Sequence, residues 1–127
     1  MLKKEILEEM LEKLEKLKED NTLIIVEGFK DRKSLVSLGF SQNRILPLQR
    51  KALFRVVEEA IKKDKRIAIL TDLDRTGKKL YSKLKRDLSE RGIYIDDKFR
   101  NFLFKYTSLR QIEGLKNYLE RNGFMIE

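Results

Sequence analysis

The run Arg66-Ile67-Ala68-Ile69-Leu70-Thr71 is apolar at nearly every position, then breaks abruptly into Asp72-Leu73-Asp74 and Arg75-Thr76-Gly77. A strand with one wet face alternates apolar and polar residues, whereas an unbroken apolar run belongs to a strand buried on both faces, as in a parallel sheet covered by helices. Open sheets of that kind carry their chemistry outside the carboxyl ends of the strands. Asp72 and Asp74 fall at such an end, one residue apart.

The rest of the chain agrees with that architecture. Leu2, Ile6, Leu7, Met10, Leu11, Leu14 and Leu17 recur at helical spacing and predict an amphipathic helix over residues 1–20, suited to packing on the sheet or to a dimer seam. Leu23-Ile24-Ile25-Val26 reads as a buried strand ending in Glu27-Gly28, followed by a helix with Leu35, Val36 and Leu38 that stops at Gly39. Arg44-Ile45-Leu46-Pro47-Leu48 is a short strand placed at an edge by its proline. Helical spacing returns from Gln49 to Lys63 and from Gly77 to Arg91, where Lys78, Lys79, Lys83, Lys85 and Arg86 form a basic ridge beginning beside the two aspartates. Phe102-Leu103-Phe104, within Phe99 to Tyr106, is the expected fourth strand. Ser108 and Gln111 have the spacing of a capping box that opens a last helix ending near Gly123. Strand and helix alternate from residue 23 onward, which argues for a parallel α/β sheet with helices on both faces. At 127 residues the length is that of one domain.

Composition narrows the chemistry. With no cysteine and no histidine, disulfides, thiolates and the commonest metal ligand and general base are excluded, so catalysis must rest on carboxylates, Lys, Tyr or a bound ion. Charged residues form 39% of the chain, and 29 Lys plus Arg against 21 Asp plus Glu leave +8. That balance favours a polyanionic partner or simply a solvated surface, and the charge content fits a thermophilic source. No signal peptide or bilayer-spanning apolar run is found in the sequence, so a cytoplasmic protein without membrane attachment is expected.

If the first and third strands are neighbours, Glu27, Asp72 and Asp74 converge at one edge. Three carboxylates about 5 Å apart repel by roughly 3 kcal/mol per pair at an effective dielectric near 20. A hard divalent cation offsets this, and Mg²⁺ takes one or two carboxylates with waters and phosphate oxygens. Taken singly, Asp72 or Asp74 reads as a helix cap and Glu27 as the partner of a nearby Lys or Arg; their joint placement, each strand end followed by a turn glycine (Gly28, Gly77), favours a site.

Leu23-Ile24-Ile25-Val26-Glu27-Gly28 with Asp31, then Ile69-Leu70-Thr71-Asp72-Leu73-Asp74-Arg75-Thr76-Gly77 about 45 residues later, resembles the two signatures of the Toprim domain. That domain occurs in bacterial-type primases, type IA and type II topoisomerases, OLD-family nucleases, 5S ribosomal RNA maturases and recombination mediators. The resemblance covers residues 22 to about 120. It implies a Rossmann-like Toprim fold, with a central, mostly parallel four-stranded sheet, helices on both faces and the N-terminal amphipathic helix added. It further implies that Asp72 and Asp74 hold Mg²⁺, for which Mn²⁺ can substitute, while Glu27 acts as general acid or base and shares the metal. Phe29 and Asp31 match the primase-type form, making Asp31 either a further metal group or a helix cap. Lys30, Arg75, Lys78 and Lys79 are the expected nucleic-acid contacts.

Nothing in these residues resembles a zinc module or the rest of a primase core, so primer synthesis is not expected, and Tyr81, Tyr94, Tyr106 and Tyr118 read as packing or surface residues rather than a topoisomerase nucleophile. The expected function is Mg²⁺-dependent phosphodiester chemistry on DNA or RNA by a small standalone, nuclease-type Toprim protein, with a homodimer or protein partner supplying specificity. The alternative is a noncatalytic nucleic-acid-binding or adaptor module. A third reading takes Asp72-Leu73-Asp74-Arg75-Thr76 as the nucleophile motif of a haloacid-dehalogenase-type phosphatase, with Asp96-Asp97 as its later acidic pair.

Overall fold

The computed structural model describes residues 3–124. Leu2, assigned above to the first helix, lies outside the described residues. The elements run α1 (Lys4–Glu19), β1 (Leu23–Val26), α2 (Phe29–Ser37), β2 (Ile45–Pro47), α3 (Leu53–Lys63), β3 (Arg66–Ile69), α4 (Arg75–Glu90), β4 (Tyr94–Ile95), α5 (Lys98–Tyr106) and α6 (Leu115–Arg121), with 3₁₀ turns at Gln42–Arg44 and Ile112–Gly114. The four strands form one sheet in the order β2-β1-β3-β4, and every pairing is parallel. β1 and β3 are neighbours, with Ile25 opposite Ile69.

Both faces of the sheet are dry. Successive side chains of a strand point to opposite faces, and here they enter two separate cores. Ile24, Val26, Ala68 and Leu70 pack under α1, α2, α5 and α6 with Met10, Leu35, Phe99, Leu103 and Leu119. Leu23, Ile25, Ile67 and Ile69 pack under α3 and α4 with Val56, Val57, Leu84 and Leu88. This double burial is why the two strands read as unbroken apolar runs. The seam of α1 is spent inside the chain, where Met10, Leu14 and Leu17 are buried in the first of these cores.

Three expectations are corrected. Phe102-Leu103-Phe104 is not a strand but part of α5; the fourth strand is the two-residue β4, beside Arg66 and Ile67. Phe99, Phe102 and Leu103 stand at i, i+3 and i+4 and are all buried, while Phe104 is exposed, so the helical period outweighs the strand preference of the aromatics. The capping box at Ser108 and Gln111 does not open a helix either. The segment before the 3₁₀ turn is held by tertiary bonds instead, with Ile112 N–H donating to the Asp72 carboxylate at 2.9 Å, and α6 begins only at Leu115. Likewise α3 starts at Leu53 rather than Gln49, whose φ of 52° is left-handed.

Candidate functional site: an acidic edge held by main-chain amides

The carboxyl ends of β1 and β3 bring Glu27 and Asp72 together: Asp72 N–H donates to Glu27 Oε2 at 2.7 Å. Glu27 immediately follows β1, and the Leu70 N–H to Ile25 C=O bond of 2.7 Å extends strand pairing to that level. Each candidate acid has one oxygen fixed by a main-chain amide. Asp72 Oδ1 accepts from Ile112 N–H at 2.9 Å, Asp74 Oδ1 from Gly77 N–H at 2.8 Å, and Asp31 Oδ2 from Gly28 N–H at 2.9 Å. Asp74 is thus the N-cap of α4, and Asp31, in the first turn of α2, reaches back to the residue preceding that helix. Asp74 therefore caps α4 as its sequence position suggests, with Oδ2 uncommitted among the described contacts, whereas the N-cap of α2 is Gly28 and Asp31 serves that cap from the first turn.

Electrostatically the edge is short of positive charge. Burial pushes the Glu27 carboxyl above its usual range, and the charges of Asp72, Asp74 and Asp31 push the same way against the Asp72 N–H. Asp31 is raised by burial and by the charges of Asp72 and Glu113, against the Gly28 and Glu113 N–H groups. Asp72 is raised by burial and by Asp74 and Glu113, against the Ile112 N–H and Arg100. Neighbouring like charges and desolvation are the two ordinary causes of such a rise.

Arg100 was invisible to sequence reading. It is buried, points from α5 under the edge, and donates to the carbonyl oxygens of Thr71 and, at 2.9 Å, Asp72. Its ring neighbour is Tyr81, 4.5 Å from the guanidinium carbon. One sequence clue existed, a lone arginine at 100 on the apolar stripe of residues 99, 102 and 103, but it surfaces only once that segment is read as a helix.

The two glycines differ. A Cβ on Gly77 would lie 1.9 Å from the Asp72 carbonyl oxygen, so this residue is demanded by close approach of α4 to the strand end. Gly28 does not serve as a turn glycine: its φ is −144°, extended backbone, and an added Cβ would meet nothing nearer than 3.6 Å.

Of the basic residues, Lys30 is exposed in the first turn of α2, and Arg75, Lys78 and Lys79 are exposed in the first turns of α4. Asp74, Arg75, Lys78 and Lys79 line one cleft together with Arg110, another residue the sequence did not single out. Asp96 and Asp97, by contrast, stand apart from this edge in their contacts, Asp96 with Arg66 at 2.6 Å and Asp97 with Lys85 at 3.2 Å, which removes the second acidic pair that a haloacid-dehalogenase reading needs.

Among the described residues no three acidic side chains are gathered tightly enough to hold an ion as they stand. Chemically the set fits: all donors are carboxylate oxygens, as Mg²⁺ prefers, and Glu27 and Asp72 each stand beside like charges that a cation would offset. Asp72 and Asp74 would hold it, with Glu27 beside them.

Residues 22–101 match the Toprim domain, and the chain belongs to the Toprim family. That family membership carries a metal-binding, nucleic-acid-related role. Its relatives place it with the UPF0292 proteins. It is 33% identical over 129 residues to the UPF0292 protein of Methanocaldococcus jannaschii, spanning 98% of this chain and 100% of that one. It is 38% identical over 104 residues to a UPF0292 protein of Pyrococcus abyssi, spanning 82% and 76%. A solved structure of an Aquifex aeolicus protein matches with a TM-score of 0.72 at 32% identity, over 84% of this chain and 94% of that one. No helix among the described residues is long and apolar enough to cross a membrane.

Proposed function

We propose that this protein carries out Mg²⁺-dependent phosphodiester chemistry on nucleic acid, as a nuclease-type Toprim protein in DNA or RNA processing. The observation that carries the reading is the Asp72 N–H bond to Glu27 Oε2, which ties the two Toprim signatures into one acidic edge beside the basic start of α4. A divalent cation held there supplies charge stabilisation for the phosphoryl oxygens and the leaving alkoxide. Arg75, Lys78 and Lys79 bind the phosphate backbone and orient it toward Asp74. With Oε2 committed to the Asp72 amide, Glu27 Oε1 is the atom that holds or releases a proton, and the raised proton affinity of this carboxyl brings it nearer the range a general acid or base needs.

The test is a cleavage screen over single- and double-stranded DNA and RNA with Mg²⁺ and with Mn²⁺, run beside Asp72→Asn and Asp74→Asn. Metal-dependent cleavage lost in both variants supports the reading; cleavage that survives in both overturns it. The binding-module alternative draws on a specific observation, that no three described acids are gathered for an ion without rearrangement. It requires salt-dependent binding with the strand left intact under every metal condition.

A further inference from the structure

Two exposed phenylalanines stand on opposite flanks of the acidic edge, each with a cation over its ring. Phe29 follows Glu27-Gly28 directly, is 55% exposed, and has the Arg32 guanidinium 4.9 Å from its ring centre. It lines a groove of about 550 Å³ along the β2 flank with Arg32, Gln42, Asn43, Lys51 and Lys63. Glu59, the acid in that groove, is paired with Lys51 at 3.7 Å. On the β3 flank Phe104 is 47% exposed, with Lys78 Nζ 4.4 Å and the Arg110 guanidinium 5.5 Å from its ring centre. Lys78 and Arg110 both line the cleft of about 640 Å³ that contains Asp74, and the Arg110 carbonyl accepts the Leu73 N–H at 2.7 Å. Phe104 is therefore tied to the Asp74 side of the edge, as Phe29 is to the Glu27 side.

The remaining exposed aromatics are placed differently. Tyr94 lies at Arg66, which begins β3, at the far end of the sheet. Tyr106 packs on Phe102 with ring centres 4.8 Å apart. Phe54, in the first turn of α3 on the other face of the sheet, has no cation over its ring among the described residues.

Exposed rings in or beside basic grooves have a specific use. A basic groove holds any nucleic-acid backbone, but an aromatic face beside it gains only from a base whose own face is unstacked, which a duplex does not offer. We infer that the ligand is a single-stranded or locally unpaired nucleic acid, whose backbone crosses the acidic edge while bases on either side stack on Phe29 and Phe104. The inference rests on the nucleic-acid reading above and adds the strand state and two base subsites.

The probe is the full-length protein with labelled single-stranded oligothymidylate, the matching abasic strand of equal length and charge, and a duplex of the same length, in EDTA so that no strand is cut. Affinity is read by anisotropy over a salt series. Oligothymidylate should bind tightest, and Phe29→Ala and Phe104→Ala should each weaken it by roughly tenfold while leaving abasic binding and the salt slope unchanged. Phe29→Tyr and Phe104→Trp should restore affinity, and Phe54→Ala should change nothing. Equal affinity for the thymidylate and abasic strands, or for the duplex, overturns the base subsites while leaving nucleic-acid binding intact. Absence of binding to every probe at low salt overturns both readings. Both rings are exposed, so the alanine variants retain the cores, and an unchanged thermal midpoint verifies it.

Discussion

Gly77 and Asp72 touch backbone to backbone: the glycine presses against the aspartate's carbonyl so closely that a methyl group would stand 1.9 Å from the oxygen and 2.5 Å from the carbon. Thr71 Oγ1 locks the same approach by donating to the Gly77 carbonyl at 2.7 Å. The first turn of α4 is thereby fixed against the end of β3.

Replacing Gly77 with alanine should force the two apart, at a cost of about 1–3 kcal/mol or more. Thermal unfolding measures it. Gly28→Ala, with its nearest new contact at 3.6 Å, should cost about 1 kcal/mol or less, the ordinary preference of an N-cap for glycine over alanine. Equal losses in the two variants would contradict the close approach.

Asp74 has a cap to lose as well as a charge. Asp74→Ser keeps an acceptor for Gly77 N–H and should stay within about 0.5 kcal/mol of the parent, whereas Asp74→Ala should lose about 1 kcal/mol. Both should abolish stabilisation by Mg²⁺, which in the parent reaches about 2.7 kcal/mol at a hundred times the dissociation constant. Calorimetry with and without the metal separates the two roles.

The pH dependence has the reverse of the usual carboxylate sign. Glu27, Asp31 and Asp72 bind protons more tightly folded than unfolded, where Glu and Asp have values of 4.5 and 3.8. Between the unfolded and folded values the native state holds the extra protons, so their contribution to stability falls as pH rises through that window and stays lost above it. Asp72→Asn keeps an oxygen for Ile112 N–H and removes one charge. Metal-free urea unfolding should therefore find the variant more stable than the parent at pH 7, with the gap closing towards pH 3. A gap that widens on acidification would reverse the assignment.

Arg100 holds two carbonyls that have little other recourse. Arg100→Ala leaves the Thr71 and Asp72 oxygens to find new partners at the rim of the core, and about 2–4 kcal/mol of stability should go with it. The same change removes the cation nearest the carboxylates, so Mg²⁺ binding, followed by titration calorimetry, should need a higher pH.

The parts of the fold legible in the sequence were those written in short-range pattern. Leu23 to Val26 and Ile67 to Ile69 are strands because they are apolar throughout, and the acids that follow them do meet. What the sequence hid is long-range. Nothing in the vicinity of Asp72 announces that its carboxylate will take an amide forty positions later, at Ile112, or that Arg100 will come up beneath it. Phe102-Leu103-Phe104 misled because three bulky apolar residues satisfy a strand and a helix equally until Phe99 and the exposure of Phe104 set the period.

The acidic edge is written in main chain, with Gly28, Asp72, Gly77 and Ile112 each placing its amide proton on one carboxylate. Four backbone resonances, scattered over the sequence, consequently sit one hydrogen bond away from the charges in question. An amide spectrum of the isotopically labelled protein becomes a built-in gauge: proton uptake, ion occupancy or the approach of a phosphate must register as displaced peaks at these positions, acid by acid, without any probe being attached.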